Sequence, residues 1–290
     1  MAAGPVARHR LPRAARYPGP MAMIEVPGAT LTYDVAGDPA DPAVLFVHAG
    51  VATRAMWDPQ FADLAADHFV VRYDTRGYGE SPGTDEPFAD RHDLIAVLDA
   101  VGASRVTVVG ASRGGRIALD AALDAPDRIG ALVTVGSTPS GQHEGEPTER
   151  ERELIAAMEA ASAAGAYEIV VELEVAYWDL GPTRDIDDVD PDFLARAIEL
   201  NVGAAHWDFA GLDQPLKPAA VSRLHELDIP ALVIVGDHDE SDSRTGYELL
   251  LAGLPRATGF RFPDSAHLPS VEHPDRFTAR LREFLSENGL

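Results

Sequence analysis

Two short alternating runs stand near the start of the chain, Met23-Ile-Glu-Val26 and Ala29-Thr-Leu-Thr-Tyr-Asp-Val35, with Pro27-Gly28 between them. A period of two around a turn pair predicts an antiparallel hairpin with one solvated face. Ala43-Val-Leu-Phe-Val47 has another texture: it is apolar throughout, as a parallel strand covered on both faces should be. Similar runs return at Phe69 to Tyr73, Val106 to Val109, Ala131 to Val135, Ala231 to Val235 and Gly259 to Phe262. Helical spacing fills the intervals from Arg54 to His68, Leu94 to Val101, Arg113 to Pro126, Thr245 to Ala252 and Pro274 to Ser286. Strand and helix therefore alternate, which predicts an α/β protein with a mostly parallel, eight-stranded sheet and helices on both faces.

The alternation is interrupted once. From Ser137 to about Leu227 there is no run suited to a buried strand, only helical segments at Thr148 to Ala164, Tyr167 to Trp178, Pro191 to Leu200 and Pro218 to Leu227. The expected organisation is a disordered leader over 1–20, a core made of 21–137 and 228–290, and a helical cap over 138–227.

A chain of 290 residues with 46% apolar content can bury a core without staples. It has no cysteine, which excludes thiol catalysis, disulfides and thiolate-bound zinc. The net charge of -23 repels phosphate backbones and anionic lipid, so neither nucleic acid nor membrane is an expected partner. The leader carries Arg8, Arg10, Arg13 and Arg16 but no apolar h-region, so a secretory signal is not expected and the expected location is cytoplasmic. No clustered ligand spacing or phosphate-cradling loop is evident, so no metal or cofactor is expected.

The candidate chemistry lies where the apolar run Val106-Thr-Val-Val109 meets helical spacing, at Gly110-Ala-Ser-Arg-Gly114. A serine hydroxyl becomes a nucleophile when it is held clear, beside a base and facing N–H groups that receive the oxyanion. A strand-to-helix bend gives that exposure, and the small residues at 110 and 114 permit the bend. The same pattern occurs at Gly79-Glu-Ser-Pro-Gly83, but Pro82 and Gly83 oppose a helix there, so Ser81 reads as a loop residue. Ser112 is the candidate nucleophile.

Reacting groups of a doubly wound sheet gather at the carboxyl ends of its strands. The run ending at Val235 leads into Gly236-Asp-His-Asp-Glu240, and the run ending at Phe262 leads into Pro263-Asp-Ser-Ala-His267. His267 is the candidate base, oriented by an aspartate of the 237–239 loop.

The order Ser, Asp, His resembles the α/β-hydrolase superfamily. Further matching pieces are Val47-His-Ala-Gly50, Tyr73-Asp-Thr-Arg-Gly-Tyr-Gly-Glu-Ser81 and Ala266-His-Leu-Pro-Ser-Val-Glu-His-Pro274, so the resemblance spans about 21–290. It implies the α/β-hydrolase fold, with Asp239 preferred to Asp237 as the acid. It also implies an oxyanion hole formed by the backbone N–H groups of Arg113 and Gly50, with Val51 the next choice for the second. His48 then supports the oxyanion loop, and Asp74 and Arg76 hold a turn.

Met56-Trp-Asp-Pro-Gln60 resembles the branch containing 3-oxoadipate enol-lactonases and small-ester hydrolases. The implied activity is acyl-enzyme hydrolysis of a small to medium, fairly apolar ester or lactone. A C–C bond hydrolase, a cofactor-free perhydrolase and a ligand-binding protein with little turnover are alternatives on the same residues. The expected pocket residues are Val51, Met158, Trp178 and Trp207, with Tyr167, Tyr177, His206 and Phe209 also possible walls. The partner is a small-molecule substrate, and oligomeric state is not readable.

Overall fold

The computed structural model describes residues 21–143, 145–204 and 212–290. The chain begins with strands β1 (Ala22–Val26), β2 (Ala29–Ala36) and β3 (Ala43–Val47), then a 3-10 turn (Arg54–Trp57), α1 (Asp58–Leu64) and β4 (Phe69–Tyr73). Helix α2 (Asp90–Ala100), β5 (Val106–Ala111), α3 (Arg113–Asp124) and β6 (Ile129–Val135) follow. A helical stretch holds α4 (Glu149–Ala163), α5 (Tyr167–Glu174), a π-helical turn (Val175–Asp179) and α6 (Pro191–Gly203). The chain closes with β7 (Ala231–Gly236), α7 (Ser241–Gly253), β8 (Ala257–Phe262), α8 (Pro269–Glu272) and α9 (Pro274–Asn288).

The eight strands form one sheet in the order β1-β2-β4-β3-β5-β6-β7-β8. The β1–β2 and β2–β4 pairings are antiparallel and all others are parallel. The reason the central strands are largely apolar is visible in the packing. Leu45 and Val47 join Val71 and Val108 in a core closed by α2, α3 and α7, whereas Val44 and Phe46 join Val70 and Val109 in a second core closed by α1 and α9. Successive side chains point to opposite faces, and both faces are dry.

The expected helices differ in detail. The Arg54 to His68 segment splits into a 3-10 turn and α1, with Pro59 in the first turn of the helix, where its missing N–H costs nothing. The Tyr167 to Trp178 segment widens into the π turn, where Leu180 N–H donates to Val175 O five residues back at 2.9 Å. Pro218 to Leu227 is not an α-helix but two 3-10 turns, Ala220–Ser222 and Leu224–Glu226. There Ala220 N–H donates to Ser140 Oγ and Val221 N–H to Ser140 O, so backbone donors that would serve a helix bind a neighbouring loop. The expected leader lies outside the described residues.

Candidate active site

Ser112 stands on the bend between β5 and α3, with φ 49° and ψ -117°. It is the sole non-glycine residue with positive φ among the described residues. Such a conformation costs about 1–3 kcal/mol and persists only where its surroundings enforce it. Here the Ser112 N–H is held by Val135 O of β6 at 2.7 Å. A Cβ added at Gly110 would lie 2.4 Å from Gly114 O, and one at Gly114 would lie 2.4 Å from Val47 O. The bend is therefore closed to any side chain at either position.

His267 follows β8, and its Nδ1 lies 2.8 Å from Asp239 Oδ1 in the loop after β7. Both residues are buried, and the Asp239 carboxylate also accepts the Glu240 N–H at 2.9 Å. The His267 N–H donates to Trp178 O at 3.2 Å, which ties the candidate base's backbone to the π turn. Asp237 is directed elsewhere: it pairs with Arg261 at 2.6 Å on the surface. Gly136 was not foreseen. It ends β6 with φ +54°, and a Cβ there would lie 2.8 Å from Asp239 Oδ2 and 3.0 Å from His267 Nδ1.

Burial alone would pull the His267 pKa down, but the charge and hydrogen bond of Asp239, reinforced by Glu240 and Asp179, push it up to about 9. Asp179 is the less expected neighbour. Its carboxyl is fully buried, neither oxygen has a hydrogen-bond partner, and burial pushes its pKa up to about 8 against the opposing charge of His267. The Glu240 pKa is likewise raised, by burial first and then by Asp239.

Ser112 and His267 line one cavity of about 530 Å³, together with Gly50, Val51, Arg113 and Trp178. Tyr177 also lines it, whereas Tyr167 is 63% exposed. Gly50 faces Arg113 closely: a Cβ built on Gly50 would sit 4.0 Å from Arg113 Cβ. Met158 is a correction, since it is half-buried on α4 and does not line the cavity. Glu151 at the start of α4 reaches the site region through Ser241, but Met158 lies seven residues further along, about 10 Å up the helix axis. Trp207, His206 and Phe209 lie outside the described residues.

The other singled-out residues stand behind the cavity. His48 is buried, with Nδ1 2.7 Å from Ala49 O and Nε2 accepting from Thr75 N–H at 3.0 Å. Asp74 accepts from Arg54 N–H and Glu80 N–H, and Arg76 pairs with Asp93 in a buried bridge, so both brace the loop. Ligand-type atoms of Asp239, Glu240 and His267 lie within 4.8 Å of one another, the one such cluster among the described residues. Within it, Glu240 caps α7 by accepting from Asp242 N–H and Ser243 N–H, and Asp239 Oδ1 holds His267, whereas Asp239 Oδ2 has no hydrogen-bond partner.

The doubly wound sheet and the sharp bend after β5 define the architecture of an α/β hydrolase. Residues 42–274 match the family described as alpha/beta hydrolase fold, and the chain belongs to that family. A Bacillus subtilis (strain 168) protein provisionally named a 2-succinyl-6-hydroxy-2,4-cyclohexadiene-1-carboxylate synthase is 28% identical, over 86% of this chain and 92% of its own. The 3-oxoadipate enol-lactonase 1 of Acinetobacter baylyi is 26% identical, over 86% of this chain and 91% of its own. The crystal structure of an enol-lactonase from Burkholderia xenovorans LB400 shares the fold, with a TM-score of 0.74 at 23% identity over 91% of this chain and all of that one. Among the described residues no helix is long and apolar enough to cross a membrane.

Proposed function

We propose that the protein is a serine hydrolase that cleaves a carboxylic ester or lactone of a small-molecule substrate through an acyl-enzyme. It is an enzyme of the ester- and lactone-hydrolase type, the class of the enol-lactonases and esterases among its relatives. The observation that carries the serine mechanism is the buried Asp239–His267 pair opening onto the same cavity as a serine on a strained strand-to-helix bend.

In this reading Asp239 accepts the Nδ1–H of His267, which leaves Nε2 free to accept the Ser112 proton as Oγ attacks the substrate carbonyl. The N–H groups of Arg113 and Gly50 receive the oxyanion. The imidazolium then protonates the leaving oxygen, and water, deprotonated by the same nitrogen, clears the acyl group. The 530 Å³ cavity suits a small to medium substrate. Trp178 and Val51 supply apolar wall, and the 138–227 segment acts as a cap that shapes the pocket through its π turn.

The test is multi-turnover hydrolysis of p-nitrophenyl acetate and of a small lactone panel, before and after a serine-directed phosphonate. Turnover abolished by one equivalent of phosphonate, with the label on Ser112, is expected. Turnover that survives complete labelling of Ser112 overturns the mechanism.

A further inference from the structure

The side chain of Arg113 plays no part in the mechanism above, yet it is committed to specific partners. It donates to Asp90 Oδ2 at 2.6 Å and to Thr75 Oγ1 at 2.7 Å, and its guanidinium lies 5.0 Å from the Tyr78 ring centre. The Thr75 hydroxyl lies 3.1 Å from His48 Nε2, and the Thr75 N–H reaches the same nitrogen at 3.0 Å.

Hydrogen-bonding capacity orients these links. A backbone N–H can only donate, so His48 Nε2 is an acceptor and the ring is neutral; Nδ1 therefore carries the proton and donates to Ala49 O at 2.7 Å. Burial of His48 lowers its pKa, in keeping with that neutral ring. The Thr75 oxygen accepts a hydrogen bond from Arg113, and its own O–H, 3.1 Å from His48 Nε2, shares that nitrogen's single lone pair with the Thr75 N–H. Donation thus runs one way, from the Arg113 guanidinium through Thr75 and His48 to the Ala49 carbonyl.

That carbonyl shares its amide with the Gly50 N–H. A hydrogen bond accepted by an amide oxygen draws electrons from its nitrogen, and a chain of such bonds strengthens each member, by about 10–30% per bond. The other end of the chain begins on the residue whose backbone N–H is the partner donor. We propose that Thr75 is a positioning residue that joins the two N–H donors of the oxyanion hole, Arg113 and Gly50, into one aligned and polarised unit. Asp90 anchors the cationic end, where its charge helps hold the half-buried Arg113 ionised. Tyr78 closes the side of the chain, with its ring 5.0 Å from that of His48.

The proposal rests on the serine mechanism above, so Ser112→Ala is run beside it; near-full activity in that variant would sink the mechanism itself. Thr75→Val removes the hydroxyl while keeping shape and the backbone N–H. With p-nitrophenyl acetate, kcat is expected to fall about tenfold with KM unchanged, a smaller loss than the roughly 10²–10³-fold cost of deleting an oxyanion donor. Affinity for phenylboronic acid, which forms a tetrahedral serine adduct, is expected to fall by a similar factor, while acetate inhibition stays the same. Thr75→Ser should restore kcat to within about twofold. Arg113→Met should lose a similar factor, and the double variant with Thr75→Val should lose scarcely more than either single one, because both cut one chain. Wild-type kcat in Thr75→Val would overturn the proposal. So would losses in kcat and KM alike that serine does not rescue, or strictly additive losses in the double variant.

Discussion

The chain contains two Gly-x-Ser-x-Gly segments, and they serve opposite ends. At Gly110–Gly114 the serine interrupts the backbone between β5 and α3, carries a positive φ, and lines the cavity that holds His267. At Gly79–Gly83 the serine is 2% exposed, and its hydroxyl is consumed by structure: it accepts from Thr32 N–H at 2.9 Å and donates to Asp74 O at 2.8 Å. One serine is presented to the cavity on a strained bend, while the other staples a loop to the hairpin edge of the sheet. Five-residue patterns do not make a nucleophile; the elements on either side of them do.

The sharpest way to break this contrast is to truncate both serines. Ser112→Ala should lose at least about three decades of kcat/KM with its melting temperature preserved. Ser81→Ala should keep kcat/KM within about threefold but lose about 1–3 kcal/mol of stability, because two buried backbone groups are left unpaired. Reversed outcomes in paired kinetics and thermal melts would exchange the roles of the two segments.

The next effect concerns the acid. Asp239→Asn leaves His267 with the wrong tautomer and should cost about 10³–10⁴ in kcat. Asp237→Asn breaks only a surface pair with Arg261 and should stay within about twofold. Equal losses in a side-by-side assay would mean that neither carboxylate orients the base.

A smaller effect should appear in pH profiles. On the proposed mechanism His267 must be neutral to act as the base, so kcat/KM should rise with pH through a midpoint near 9. Ionised Asp179 favours the imidazolium, so Asp179→Asn should move that midpoint down. Stability follows with a definite sign. The Asp179 pKa is about 8 in the fold against an ordinary 3.8, so the native state keeps a proton that the unfolded chain releases. Its contribution is complete below about pH 4 and is lost as pH rises through about 8. Asp179→Asn should therefore melt higher than wild type at pH 9, by at least about 2 °C, and alike at pH 4. Matching melting curves at pH 9 would mean that this carboxyl does not hold its proton.

The alternation of strands and helices was legible because each central strand faces two dry cores and each helix only one, so their periodicities differ. Ser112, Asp239 and His267 were legible as candidates because they stand at the carboxyl ends of β5, β7 and β8, where strand runs stop abruptly. The 218–227 segment was misread as a helix because its composition permits one, while the competing hydrogen bonds come from Ser140, about 80 residues away. Met158 was misplaced for a related reason, since apolar character on a helix says nothing about how far along the axis a cavity lies.

By itself the sequence determined the alternating α/β order, the bend at Ser112 and the two loops able to supply an acid and a base, because local steric and hydrophobic demands leave a direct trace in neighbouring residues. The tertiary structure alone decided which aspartate meets His267, that Gly136 is bare to admit that pair, that Asp179 lies buried and unpartnered near it, and that Arg113, Thr75 and His48 form one chain. Those outcomes depend on ångström-scale distances between residues far apart in the chain, and nothing in the order of neighbours encodes such distances separately.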